Sequence, residues 1–583
     1  MSHKHKFGSL NRRCTLPLLY ATFACSSLLA QSPDVSLRGA EGALEQNIRS
    51  HLVTPNADCD STQRRLERFE PQVRQTVTRA ARALGYYYLT QNLTFTAGDP
   101  CWALRIDVEP GDPITVGEID ITIQNDEELF EDTLDDLPVS TGDQLNHAAY
   151  ENVKSALSSQ AVEYGFFNAR FNTSELRLDL QDGTAGIAID FAPGERYRFG
   201  DISIVPVEAL ADDFIRRFIE FEPGMPYSTN ELINLRNDLN NSQYFSEVTV
   251  TPSLTQASNQ RIPVNVTLQA RPRKAYSAGV GMTTDIGPRV RFSYADRYIN
   301  RRGHRFESGL AASPIQQTFD MSYTIPMSNP ATESLGFAGG YISEDLEEFE
   351  YQTSKLGVTY SQVNDHDWRQ NYFVNYQHDE YQLNDDDNVS DLFVSGSNLS
   401  RTVADDAIVP RNGWRLFGQL SGASEMLLSS TSFAQLYLSG RYVQGLGPGR
   451  LLLDFEAGAS FLEDEFAELP VSLRYFAGGD QSVRGYRYQS LGPENENGDV
   501  IGGKHLMVAG LEYDFPVYGD NWRLAVFLDA GNAFTDYSDY ELKKGAGIGL
   551  RWVSPIGPIR IDLASALDDD SQLRLHITMG PDL

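Results

Sequence analysis

From about residue 275 to the C-terminus, the sequence alternates between apolar and polar residues with a period of two. Leu451, Leu453, Phe455, Ala457 and Ala459 fall on one face of an extended segment, with Leu452, Asp454, Glu456, Gly458 and Ser460 on the other. Residues 433–442 repeat the pattern, and Leu573, Leu575, Ile577 and Met579 alternate with Arg574, His576 and Thr578. Segments of about ten residues, apolar outward and polar inward, are the signature of a transmembrane β-barrel. A soluble β-sandwich alternates too, so no single strand separates the two. The number of such strands does, in a chain with an export signal and no apolar run of about eighteen residues. Residues 271–583 allow about 20 residues for each of sixteen strands with its connection. The number must be even if the upstream modules and the chain end share one side of the membrane. The expectation is an antiparallel transmembrane β-barrel of sixteen strands over 271–583.

At the other end of the chain, Lys4, Lys6, Arg12 and Arg13 precede a short apolar run over 15–30. This is the order of a secretory signal peptide over 1–30, and the run is too short to cross a bilayer as a helix. Cys14 and Cys25 lie inside it, which leaves Cys59 and Cys101. An exported pair in an oxidising compartment is expected to form a disulfide, and no CxxC or HExxH pattern supports a metal site. The formal charge of −32 argues against nucleic acid, whose phosphates need a basic partner surface.

Between signal and barrel the chain repeats itself with a period near 80 residues, 110–121 recurring as 193–204. A helix end running into an aromatic strand appears at Leu84-Gly85-Tyr86-Tyr87 and at Tyr164-Gly165-Phe166-Phe167, and more loosely at Gln243-Tyr244-Phe245. Glycine there supplies a left-handed cap. Each unit reads as strand, helix, helix, strand, strand. In the second, 118–123 is a strand and 127–134 a short helix. A longer helix over 145–164 carries Val153, Leu157 and Val162 at helical spacing, and strands follow over 175–180 and 185–191. The boundaries expected are 34–110, 112–194 and 195–270.

The C-terminal region is the most specific. Phe476-Ala477-Gly478-Gly479-Asp480-Gln481-Ser482 leads into Val483, Arg484, Gly485 and Tyr486. Then come Leu511-Glu512-Tyr513-Asp514-Phe515-Pro516, Phe527-Leu528-Asp529-Ala530-Gly531, and a strand pair over 547–562. This order resembles the outer-membrane assembly superfamily that contains BamA, TamA and the two-partner secretion transporters, whose hallmark is a (V/I)RG(F/Y) loop. The tetrapeptide alone is weak, and with the later motifs in order it is strong. Three upstream repeats, which look like POTRA domains, and the segments 194–200 and 284–290 resemble the TamA subfamily in particular. BamA-like chains usually end in an aromatic residue, and Leu583 departs from that.

The resemblance implies three periplasmic α/β POTRA modules and a barrel that inserts or translocates client outer-membrane proteins such as autotransporters. It also implies a TamB-like inner-membrane-anchored periplasmic partner and contact with outer-membrane lipid. The family pattern pairs the loop arginine with lumenal carboxylates, which here are Asp529 and Glu512. Alternation agrees, since Leu511, Tyr513, Val526 and Leu528 facing lipid leave Glu512 and Asp529 inside. A lateral gate is expected where the first strand, 275–282, meets the last, 573–579. Gly279 and Gly281 weaken the first, and Gly580 with Pro581 ends the last, among Leu573, Leu575 and Ile577. No Ser/His/Asp, Cys/His or G-x-S-x-G constellation is present, so neither enzyme chemistry nor a cofactor is expected.

Overall fold

The computed structural model describes residues 32–580, except 347–348, 384–385, 464–465, 520, 555–556 and 569–572. The signal segment expected over 1–30, and Pro581, lie outside the described residues. The chain divides into two units, one ending at Arg196 and one beginning at Tyr197.

The first unit holds two α/β modules of one topology. In the first, Ala103–Glu109 is central, parallel to Asp34–Arg38 and antiparallel to Thr90–Thr96. Helices Gly42–His51 and Glu70–Arg82 bury Leu44, Ile48, Val73 and Val77 in one core with Leu104 and Ile106. Cys59 and Cys101 are joined as a disulfide. Their separation of 42 residues limits the unfolded chain by about 4 kcal/mol in the chain-entropy model. In the native, unreduced protein neither thiol is expected to react with a maleimide. Reductant is expected to make the first module the earliest site of proteolysis, and stoichiometric labelling of both cysteines without reductant would contradict the bridge.

The second module repeats the order with Thr115–Ile123, Thr184–Ala192 and Arg170–Asp179. Its long helix, His147–Glu163, starts at Asn146, whose side chain accepts the Ala148 N–H at 2.9 Å. That helix corrects one expectation. It buries Tyr150, Val153, Leu157 and Ala161, whereas Val162 is 49% exposed. Positions 153, 157 and 161 recur every four residues on one face, while 162 falls half a turn away.

The second unit contains the third module and the barrel. The module pairs Arg198–Ile204 and Phe245–Pro252 on either side of Arg261–Ala270. Where the earlier modules place Gly85 and Gly165 at positive φ, this one places Gln243, φ +64°. The module is fastened to the near-side barrel turns. Ala211 N–H donates to Arg301 O at 2.9 Å, Arg217 Nη2 to Pro326 O at 2.9 Å, and Tyr244 O–H to Gly303 O at 2.6 Å. Burial pushes the Tyr244 phenol up to about 12, so it stays protonated as the donor.

Sixteen strands, from Lys274–Thr283 to Arg574–Met579, pair in sequence order as one antiparallel sheet. Val290, Phe292, Leu438, Leu453, Phe455, Leu511, Val526 and Leu528 are exposed on the outer face, as alternation requires. Trp368, Trp414, Trp522 and Trp552 all lie at the end nearest the third module, and the last two stack at 5.4 Å. Tryptophans collected at one level mark a membrane–water interface. Among the described residues no helix is long and apolar enough to cross a membrane.

Candidate functional site: a lumenal loop and a weak seam

The connection over 463–504 joins the eleventh barrel strand, Gly449–Leu462, to the twelfth, His505–Tyr518, and folds inward. Its tip is apolar. Val483 and Tyr486 share a core with Leu506, Val508, Ala533 and Ala566 on the barrel wall. Between them Arg484, 8% exposed, turns toward the lumenal carboxylates. Its Nε and Nη2 donate to the two oxygens of Asp529 at 2.7 and 2.9 Å, and its own N–H donates to Asp529 Oδ2 at 3.1 Å. Nη1 donates to Glu512 Oε2 at 2.8 Å and to Asp562 Oδ2 at 3.1 Å. The guanidinium carbon lies 3.4 Å from the centre of the Phe527 ring. A bidentate arginine–carboxylate pair fixes direction as well as charge, and at this depth removing either partner leaves an expensive lone charge.

Both expected partners of Arg484 are therefore in place, and two more residues belong to the cluster. Arg551 Nε and Nη2 donate to Glu512 at 2.9 and 2.8 Å, and Arg551 also pairs with Asp562. Their positions follow the alternation that placed Glu512 and Asp529. Leu550 and Trp552 flank Arg551, Ile561 and Leu563 flank Asp562, and the charged residue of each triplet faces in. Without Arg551, three carboxylates would share one guanidinium.

Two glycines let the loop tip come this close. Gly485 has φ +102°, and a Cβ there would meet Ala566 N at 2.7 Å. A Cβ at Gly545, on strand Lys543–Ser554, would overlap the Arg484 carbonyl oxygen. Gly545→Ala is thus expected to lift the tip from the wall at a cost of about 1–3 kcal/mol. Protease sensitivity within 463–504 in folded, heat-modifiable barrels should rise. Wild-type resistance would contradict this packing.

The seam is weak. Among the described residues, the first and last strands share no ladder. They meet where Thr284 N–H donates to Ile577 O at 3.3 Å and Ile577 N–H donates to Thr284 Oγ1 at 3.1 Å. That register brings Met282 opposite Met579 and leaves 274–281 beyond the end of strand Arg574–Met579. Among the described residues, a Cβ at Gly279 or Gly281 would meet no atom within 4 Å. Leu575 points outward as expected, while Leu573 precedes the last strand and Gly580 follows it. Beside the seam, in the turn at 284–286, burial and the neighbouring Asp480 carboxylate push the Asp285 carboxyl above the usual carboxylate range.

A sixteen-strand barrel with a lumenal loop tied to its wall and a nearly unpaired seam defines the class. The family model described as the Omp85 superfamily domain matches residues 259–582, and the chain belongs to that superfamily. A model described as POTRA domain TamA domain 1 matches 34–110, and a POTRA model described as surface antigen variable number repeat matches 197–271. Among curated proteins, the chain is 24% identical over 448 residues to the outer membrane protein assembly factor BamA of Nitratidesulfovibrio vulgaris, covering 72% of this chain and 55% of that one. BamA of Neisseria meningitidis is 21% identical over 506 residues, with 74% and 63% covered. The chain thus spans less than two thirds of either relative. A solved structure of Haemophilus ducreyi BamA lacking POTRA domains 1–3 superposes with a TM-score of 0.61 at 18% identity, over 80% of this chain and 99% of that one. The protein resides in the outer membrane of a Gram-negative cell, with its POTRA-like modules in the periplasm.

Proposed function

We propose that this chain inserts or translocates client outer-membrane proteins through the seam between its first and last barrel strands, without cofactor or turnover chemistry. The observation that carries the reading is the seam itself. In lipid, unpaired backbone groups cost several kcal/mol each, so a closed barrel normally pairs every edge. Among the described residues, the segment 274–281 has no partner strand on its outer edge, and an incoming client strand supplies one by β-augmentation. The relatives named as assembly factors favour the same activity.

Within the superfamily the TamA role is the one proposed, with autotransporters among the clients and a TamB-like inner-membrane-anchored protein docked on the POTRA-like modules. The match of the TamA first-domain model at 34–110 and the three successive modules support it. The test is affinity purification of the full chain after crosslinking in growing cells. A large inner-membrane-anchored periplasmic protein and β-barrel clients are the expected captures. Recovery of neither, together with a large and constantly open conductance in planar bilayers, would point to a passive pore instead.

A further inference from the structure

The loop over 463–504 also reaches the seam. Asp480 touches both strands that would have to part there. On the first-strand side, its Oδ1 accepts the Thr284 hydroxyl at 2.6 Å and its Oδ2 accepts the Thr284 N–H at 3.2 Å. On the last-strand side, Oδ1 lies 2.5 Å from His576 Nδ1. Gly485 N–H donates to the other ring nitrogen, Nε2, at 3.0 Å. A backbone N–H only donates, so Nε2 accepts, and the ring proton sits on Nδ1 and points at Asp480. Asp480 N–H in turn donates to Asp285 Oδ2 at 2.8 Å.

Asp285, Asp480 and His576 are close enough together to raise the question of a metal ion. The hydrogen bonds favour a proton-bridged junction: Nδ1, the nitrogen nearest the carboxylates, already carries the ring proton. The Asp480 and His576 side chains are only 1% and 5% exposed. Charge-assisted hydrogen bonds at such depth are short and hold their geometry.

We propose that Asp480 is the clasp of the seam, a positioning residue through which the lumenal loop, more than any strand ladder, sets how often the first and last strands part. The proposal rests on the reading above, because an opening seam is what gives a clasp a function. Two features of the contacts carry it. Among the described residues, the two sides of the seam contribute only the Thr284–Ile577 pair, and Thr284 Oγ1 receives the Ile577 N–H while donating to Asp480. Moreover, the side-chain bonds of Arg484 reach Glu512, Asp529 and Asp562 on later strands, so they do not tie the loop to the first strand. Asp480 does.

The test uses the full chain in liposomes, with spin labels on cysteines at Val280 and Leu575, one on each strand and both outward-facing. The wild-type background should give one short distance. Loss of charge-assisted hydrogen bonds shifts such an equilibrium by roughly tenfold to a hundredfold, so Asp480→Ala should raise a longer-distance population by at least about tenfold. Asp480→Asn keeps one acceptor oxygen for the Thr284 hydroxyl and His576 but loses the charge and the acceptor of the Thr284 N–H, and should restore the short distance in part. Thr284→Val, which removes one hydroxyl, should fall between the two and stands in if Asp480→Ala does not fold. Heat-modifiable mobility reports that the barrel is intact. Unchanged distances in folded Asp480→Ala or Thr284→Val would overturn the clasp. If the seam opens in Asp480→Ala while client assembly in the same membranes is unaltered, the clasp stands and insertion through the seam falls.

Discussion

Arg484→Ala is expected to abolish client assembly while the barrel still forms. The side chain makes four hydrogen bonds to Asp529, Glu512 and Asp562, all buried in the lumen, and packs on Phe527. Its removal takes the guanidinium from Asp529 and leaves Glu512 and Asp562 to Arg551 alone, and breaking a buried ion pair in this way costs about 3–5 kcal/mol. That loss falls on the loop. The strand ladders rest on backbone hydrogen bonds that the substitution does not touch. Heat-modifiable gel mobility should therefore remain near wild type while an autotransporter-assembly assay falls to background. Arg484→Lys should rescue little, because an ammonium is a point charge that cannot engage Asp529 through two parallel bonds. Wild-type assembly by Arg484→Ala would remove the loop lock from the mechanism.

Much of this architecture was legible in the sequence because two periodicities carry it. Alternation of period two depends only on which face meets lipid, and it located the barrel and the inward direction of Glu512 and Asp529. Helical spacing located the modules' helices but assigned Val162 to the buried face in place of Ala161, since two adjacent small apolar residues leave the phase of a helix open. The third module kept its turn with Gln243 where the others use glycine, so composition alone marked that boundary weakly. The rest of the site was hidden for a different reason. Arg551 and Asp562 were visible as inward charges, but their joining to Glu512 requires the strand register. The junction of Thr284, Asp480 and His576 requires knowing how a loop of some forty residues folds back across the lumen, and no local pattern encodes that.

A covalent lock across the seam is the second large effect expected. Met282 and Met579 lie opposite one another in the register set by Thr284 and Ile577, and both are exposed outward. Met282→Cys combined with Met579→Cys should form a disulfide that joins the first strand to the last and removes the open state altogether. With crosslinking complete, client assembly should stop, and reductant should restore it. Reductant also opens Cys59–Cys101, so the same treatment of protein without the seam cysteines serves as the reference. The decisive measurement is the rate of client assembly by the fully oxidised double-cysteine protein. Background activity, recovered on reduction, is the expected result. Assembly at the wild-type rate with the seam closed would contradict insertion through it.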